Sequence, residues 1–196
     1  AWYWATTDLP WYDALRHVAL NVTSVVTTTG FALGDYSLWG NFALMFFFYL
    51  GFIGGCSGST AGGVKIFRFQ VAYILLKANL NQLIHPRAVL KQTYNGHRLD
   101  DEIVRSILTF SFFFTITICV IALLLSLLGL DWMTALTGAA STVSGVGPGL
   151  GETIGPAGNF ATLPDTAKWI LSLGMLLGRL EIITVLVLCI PAFWRQ

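Results

Sequence analysis

Two short stretches combine residue types that can bind a cation without an acidic ligand. Residues 25–35 read VVTTTGFALGD and residues 142–152 read TVSGVGPGLGE. Each sets a polar turn, Thr27-Thr28-Thr29-Gly30 or Ser144-Gly145-Val146-Gly147, at the head of a Gly-x-x-Leu-Gly-acid pattern. That pattern is Gly30, Leu33, Gly34 and Asp35 in the first copy and Gly147, Leu150, Gly151 and Glu152 in the second. A Thr/Ser-plus-Gly turn held between apolar helices aims a row of backbone carbonyls at one point, which is how a dehydrated potassium ion is coordinated. Glycine at the end of the row adopts backbone angles closed to other residues, so consecutive carbonyls can face the same way. One such tetrapeptide is an ordinary turn. Two, with the same trailing pattern and each ahead of a long apolar segment, point to a pore.

The elements around the turns fit that reading. Trp11–Val26 carries Asp13, Arg16, His17 and Asn21 among apolar residues; it is too polar to face lipid and suits a short helix buried in protein. Asp131 can cap a second short helix, Trp132–Val143, ahead of the second turn. Both helices would bring their partially negative C-terminal ends to the turns. Residues 40–53 are apolar but too short to cross, since a span needs about 20 residues. The ten residues Gly54, Gly55, Cys56, Ser57, Gly58, Ser59, Thr60, Ala61, Gly62 and Gly63 then hold five glycines, each costing about 1 kcal/mol in a helix. Helical periodicity resumes in VKIFRFQVAYILLK, so 40–77 reads as one membrane helix interrupted near mid-depth. Irregular backbone is tolerated there only where it is buried in protein or lines a wet cavity.

Residues 78–102 are polar, with Pro86 and an Asn95-Gly96 turn, and Asp100 with Asp101 can cap the helix after them. Ile103–Leu130 is ample for a full span. Residues 153–166 read as a loop, and Ala167–Trp194 as a last span interrupted only by Lys168, Arg179 and Glu181.

Composition agrees with a bilayer setting. The chain is 55% hydrophobic and 11% charged, against roughly 25% charged in a soluble domain. A net charge of +1 lacks the concentrated basic surface that nucleic acid requires. Cys56, Cys119 and Cys189 lie in apolar stretches at unrelated spacings, reading as buried inert thiols rather than a disulfide or metal set. The first residues have no signal-peptide pattern, and the first copy lacks an opening helix that the second has. The chain therefore reads as a carboxy-terminal piece of a larger membrane protein. Seven of the eleven Lys/Arg lie between Lys65 and Arg105, so the positive-inside rule puts 78–102 and the C-terminus in the cytoplasm. Asp8, Asp13, Asp35, Asp131, Glu152 and Asp165 then face outward, where they would concentrate cations.

The helices after the turns also match, Leu50-Gly51-x-x-x-Gly55 against Leu173-Gly174-x-x-x-Gly178, and small residues four apart permit close helix contact in membranes. Copy one continues into the Gly-rich break, whereas copy two places Arg179 opposite Cys56. A charge on a membrane helix is a functional hypothesis by default. Glu181, two residues on, does not face Arg179 on a helix, so Arg179 is expected to reach the pore below the first constriction, or the break itself.

In TTTGF, the GGCSGSTAGGVK break, and GPGLGE ahead of GRLE, the chain resembles the Trk/Ktr/HKT superfamily of potassium transporters, and it does so over essentially its whole length. The resemblance implies an all-α membrane protein in which four helix–pore loop–helix repeats of one polypeptide surround a pseudo-fourfold ion pore. Residues 1–102 would be most of one repeat and residues 103–196 a complete one. It implies potassium uptake across a bacterial inner membrane, with K⁺ the transported ion, no cofactor and no enzymatic activity. Thr28, Thr29 and Gly30 with Val146 and Gly147 would line the potassium-binding filter, residues 54–63 would be an intramembrane gate, and Arg179 a pore-facing charge. It further implies a homodimer bearing a cytosolic nucleotide-binding regulatory subunit of the TrkA type, docked on basic loops such as 65–105. One departure is plain: where the family commonly has two asparagines before the last filter, this chain has Ser144-Gly145.

Other classes fit less well. Gly55-Cys56-Ser57-Gly58 matches a G-x-S-G pattern, but an intramembrane serine protease needs a histidine at membrane depth. His85 and His97 lie in the polar loop, and His17 beside Arg16 in the outer short helix. The glycine run lacks the Gly-Lys-Ser/Thr ending of a phosphate-binding loop. The Asn21-Val22-Thr23 sequon lies in a buried helix. A broken-helix secondary transporter, coupling cation uptake to sodium or protons, shares the midplane glycine break but leaves the paired turns unexplained.

Overall fold

The computed structural model describes residues 3, 4, 7, 9–85, 93–180, 182–188 and 190–195. Asp8, Pro86, Glu181 and Cys189, all named above, lie outside them. Among the described residues the regular elements are helices, apart from one hairpin of two-residue strands: α1 (Trp11–Val26), α2 (Asn41–Ile53), α3 (Ile66–Ile84), α4 (Asp101–Leu127), α5 (Trp132–Ser144), α6 (Asp165–Arg179) and α7 (Ile182–Leu188). Short 3-10 turns at Tyr36–Trp39, Phe160–Thr162 and Pro191–Arg195 complete the order.

Each boundary has a local cause. Asp131 accepts the Thr134 amide at 3.1 Å through its carboxylate, the expected cap of α5, and Asp35 accepts the Ser37 amide at 2.9 Å to start the first 3-10 turn. Asp100 stands at the head of α4 with backbone in place but no side-chain capping bond, so it does not act as the cap its type suggested. α2 stops at Gly54, with φ +63°, and α3 starts only after Lys65, itself left-handed at φ +67°. The 40–77 segment is thus two helices with a twelve-residue-long interruption at 54–65. α3 runs on to Ile84, so the polar loop begins later than residue 78; Thr93–Tyr94 and His97–Arg98 pair across the Asn95-Gly96 turn.

Among the described residues one helix, α4, is long and apolar enough to cross a membrane. The last apolar stretch does not form one continuous span: α6 ends at Arg179, the chain turns at Leu180, and α7 follows. α6 crosses α5 closely just before that turn, with the Gly178 Cα pressed on the Val143 carbonyl where no side chain fits. The cysteines differ from the buried thiols expected of them. Cys56 and Cys119 are free but exposed, because Cys56 sits in the interruption and Cys119 on the outer face of α4.

Two apolar clusters matter for the site. α4, α5 and α6 share Phe114, Ile118, Ile121, Leu125, Ala139, Val143 and Leu171. The second cluster joins the copies: Val25, Tyr36, Phe47 and Leu50 of the first pack with Val146 and Leu150 of the second. The two turns therefore share one apolar backing, with Tyr36 and Phe47 stacked at 4.2 Å within it.

Candidate functional site

α1 and α5 end at the two turns, as their sequences require. Thr29 donates its amide to the Ser24 carbonyl at 2.8 Å, which folds the chain back off the last turn of α1. The Val146 amide does the same to the Ser141 carbonyl at 3.0 Å, with Gly145 left-handed at φ +72°. Thr28 has φ +54°, uncommon for a residue with a β-branch, and the Thr27 and Thr29 hydroxyls pair at 2.8 Å.

The turns meet. Gly30 has φ +82°, and a Cβ placed on it would stand 2.5 Å from the Val146 carbonyl oxygen and 3.4 Å from Pro148 Cδ. Gly147, at φ +109°, faces the Gly30 Cα. Gly30, Val146 and Gly147 thus come together from positions more than a hundred residues apart in the chain, with Thr28 and Thr29 leading into Gly30.

The Gly-rich segment lies directly against these turns. Gly62 donates its amide to the Thr28 hydroxyl at 3.2 Å, and its Cα abuts the Ser144 carbonyl so closely that only glycine fits. Ser59 closes the tip through amide and hydroxyl bonds to the Cys56 carbonyl, at 3.0 and 2.6 Å, and Lys65 donates to the Ser57 carbonyl at 3.1 Å. The Val64 amide returns to the Phe52 carbonyl at 3.0 Å, so Gly54, Gly55, Gly58, Ala61 and Gly63 belong to a self-bonded loop rather than a loose one. Arg179 donates from its guanidinium to the Thr60 carbonyl, which is the second of the two destinations expected of it. Arg179, Gly62, Ser141, Thr142, Gly145 and Met175 line a recess of about 280 Å³ below the second turn.

Acid–base pairs form in the first turns of α1 and α6: Arg16 with Asp13 at 3.8 Å, and Lys168 with Asp165 at 3.0 Å. At the head of α5 the Asp131 carboxyl is held below the usual range by the Thr134 hydroxyl and amide.

Sequence reasoning missed the side chains behind the turns. Asn21, fully buried, donates from its amide to the Leu33 carbonyl at 3.1 Å and accepts the Leu33 amide at 2.8 Å. In the second copy the Thr137 hydroxyl accepts the Leu150 amide at 3.1 Å and shares its one proton between the Met133 carbonyl at 2.8 Å and the Leu150 carbonyl at 3.1 Å. Ser141 donates to the Pro148 carbonyl at 2.7 Å. The available signal was a polar residue inside each short helix about a dozen positions ahead of the repeated leucine. The burial of Asn21 also disposes of the sequon.

Comparison with known proteins agrees with this architecture. The cation transport protein family TrkH matches residues 5–196. The potassium uptake protein TrkI of Halomonas elongata is 63% identical over 187 residues, covering 95% of this chain and 38% of that protein. TrkG of Escherichia coli, also a potassium uptake protein, is 35% identical over 195 residues, covering 100% of this chain and 39% of that one. The crystal structure of the potassium transporter TrkH from Vibrio parahaemolyticus superposes with a TM-score of 0.85 at 37% identity, over 93% of this chain and 38% of its own. The chain spans under two-fifths of the length of these relatives. By sequence, by fold and by the paired turns, the chain belongs to the TrkH family of cation transport proteins.

Proposed function

We propose that this chain forms part of a potassium uptake pathway across the bacterial inner membrane. The observation that carries the reading is the contact of the two Gly-ended turns, in which the Gly30 Cα lies against the Val146 carbonyl. Carbonyls there, from Thr28, Thr29, Gly30, Val146 and Gly147, would replace the hydration shell of K⁺ as it passes. The C-terminal ends of α1 and α5 add partial negative charge at the same place, where a desolvated cation gains most from it. Residues 1–102 then act as most of one pore repeat and 103–196 as a complete one.

Residues 54–63 are the gate in this reading. They lead into α3, after which the chain enters the basic 78–102 segment, which in this reading is cytoplasmic by its Lys/Arg content, along with the C-terminus. Arg179 holds the gate through Thr60 and adds a positive charge that opposes an exiting cation. The relatives are potassium uptake proteins, which supports transport rather than catalysis, with K⁺ as cargo. A homodimer carrying a nucleotide-binding regulatory subunit of the TrkA type would act on the gate from the cytoplasmic side.

Rubidium uptake into liposomes by the whole protein, competed with potassium and sodium, tests the proposal. Potassium should displace rubidium at far lower concentration than sodium. Equal competition by the two ions refutes the reading.

A further inference from the structure

Each turn is tied to one face of its own short helix, and the ties differ between the copies. The register that sets Gly147 on Gly30 and Leu150 on Leu33 also sets Ser141 on Ser24 and Pro148 on Phe31. In both copies the serine backbone carbonyl takes an amide of the turn, Thr29 or Val146. In both, one polar side chain a turn earlier in the helix bonds the backbone of the repeated leucine: Asn21 through separate amide and carbonyl atoms, and Thr137 by accepting the Leu150 amide while its proton is shared between the Met133 and Leu150 carbonyls. Asn21 and Ser24 lie three apart and Thr137 and Ser141 four apart, so each pair shares one helix face.

The serine hydroxyls break the symmetry. Ser141 Oγ donates to the Pro148 carbonyl, one residue past the turn glycine, at 2.7 Å. Ser24 Oγ is buried with no hydrogen-bond partner, and Ser24 as a residue is only 6% exposed. Unpaired buried polar groups are uncommon and need a reason. The second turn is therefore held by side chains at two points beyond its inner end, and the first at one.

We infer that Asn21, Thr137 and Ser141 are positioning residues that set the ion preference of the pore, and that the second turn is the more rigidly framed of the two. The inference rests on the filter assignment proposed above. Asn21 and Thr137 are buried, and Ser141, which also borders the recess below the second turn, commits its hydroxyl to the Pro148 carbonyl. They act by fixing where the strand after Gly30 or Gly147 runs, and hence where the adjacent carbonyls stand. A carbonyl ring discriminates between ions only as far as its oxygens resist collapse onto a smaller one, which is the part a frame supplies.

The test uses the whole protein in liposomes, with rubidium uptake competed by sodium and by potassium, maximal rate, and melting temperature in detergent. Ser141→Ala and Thr137→Val should each lower the potassium-over-sodium ratio by about threefold to tenfold, the range of one or two neutral hydrogen bonds. Thr137→Ser, which restores the hydroxyl, should return the ratio to within about twofold of the parent. Ser24→Ala removes a buried hydroxyl without a bond, so it should leave the ratio unchanged and the melting temperature no lower than the parent's. A non-selective parent overturns the filter assignment and this inference with it. A selective parent overturns the inference alone if Ser141→Ala and Thr137→Val lose rate or melting temperature while keeping the ratio. It is also overturned if Thr137→Ser behaves like Thr137→Val, or if Ser24→Ala loses as much selectivity as Ser141→Ala.

Discussion

The two turn glycines should not tolerate a methyl group equally. An alanine at Gly30 must adopt φ +82°, which costs a non-glycine residue about 1–3 kcal/mol. It must also fit a Cβ 2.5 Å from the Val146 carbonyl oxygen, roughly 0.9 Å inside ordinary contact at 3.4 Å. Both partners are backbone, so no side-chain rotation relieves the overlap. The Val146 carbonyl, one of the proposed ion ligands, has to move. At Gly147 the angle is unfavourable too, at φ +109°, but the nearest atom to a new Cβ is the Gly30 Cα at 3.9 Å. That substitution carries the backbone cost alone. Since about 1.4 kcal/mol is a factor of ten in an equilibrium, displacing the ligand should cost Gly30→Ala about a further tenfold in potassium-over-sodium discrimination. The assay is rubidium uptake competed by each ion, at matched insertion, for the parent and both variants. If Gly147→Ala loses as much discrimination as Gly30→Ala, the contact between the turns does not set the site.

Arg179→Ala and Arg179→Gln should both raise uptake with the ion ratio unchanged, since each removes the donor to the Thr60 carbonyl. Bonds from charged groups are worth about 1.5–3 kcal/mol, so the gain should lie between about tenfold and somewhat over a hundredfold. Variants that insert normally and conduct no faster than the parent would leave Arg179 a structural residue. Removing several residues within 56–62 should increase uptake and weaken dependence on a cytosolic partner, because it takes away the bond from Gly62 to Thr28; an inserted deletion with parental flux and regulation contradicts a gate. Asp131→Ala should lower stability by about 1 kcal/mol through loss of the α5 cap, seen as a lower melting temperature. The Asp131 carboxyl lies below its ordinary range because the Thr134 hydroxyl and amide bond its charged form. Its contribution is therefore complete above the ordinary carboxylate value and fades as pH falls through the lowered one, which a melting series in acid would detect.

Much of this protein is local, and so is legible in one dimension. The ends of α1 and α5, the glycine interruption, the long span of α4 and the hairpin at Asn95-Gly96 follow from periodicity, turn chemistry and the cost of glycine in a helix. The repeated Gly-x-x-Leu-Gly-acid pattern marked the two turns because both copies solve the same backbone problem. What the chain order could not specify is which groups meet across it. That Thr28 accepts from Gly62, that Arg179 reaches Thr60 across 119 positions, and that Gly30 abuts Val146 depend on how whole helices cross. The same holds for the exposed faces of Cys56 and Cys119, which composition alone placed inside, and for the turn at Leu180 in a run that reads as a single span. Asn21 and Thr137 show the limit most plainly. A buried polar residue in a short helix announces that a partner exists, but only packing decides that the partner is the backbone of a leucine beyond the turn.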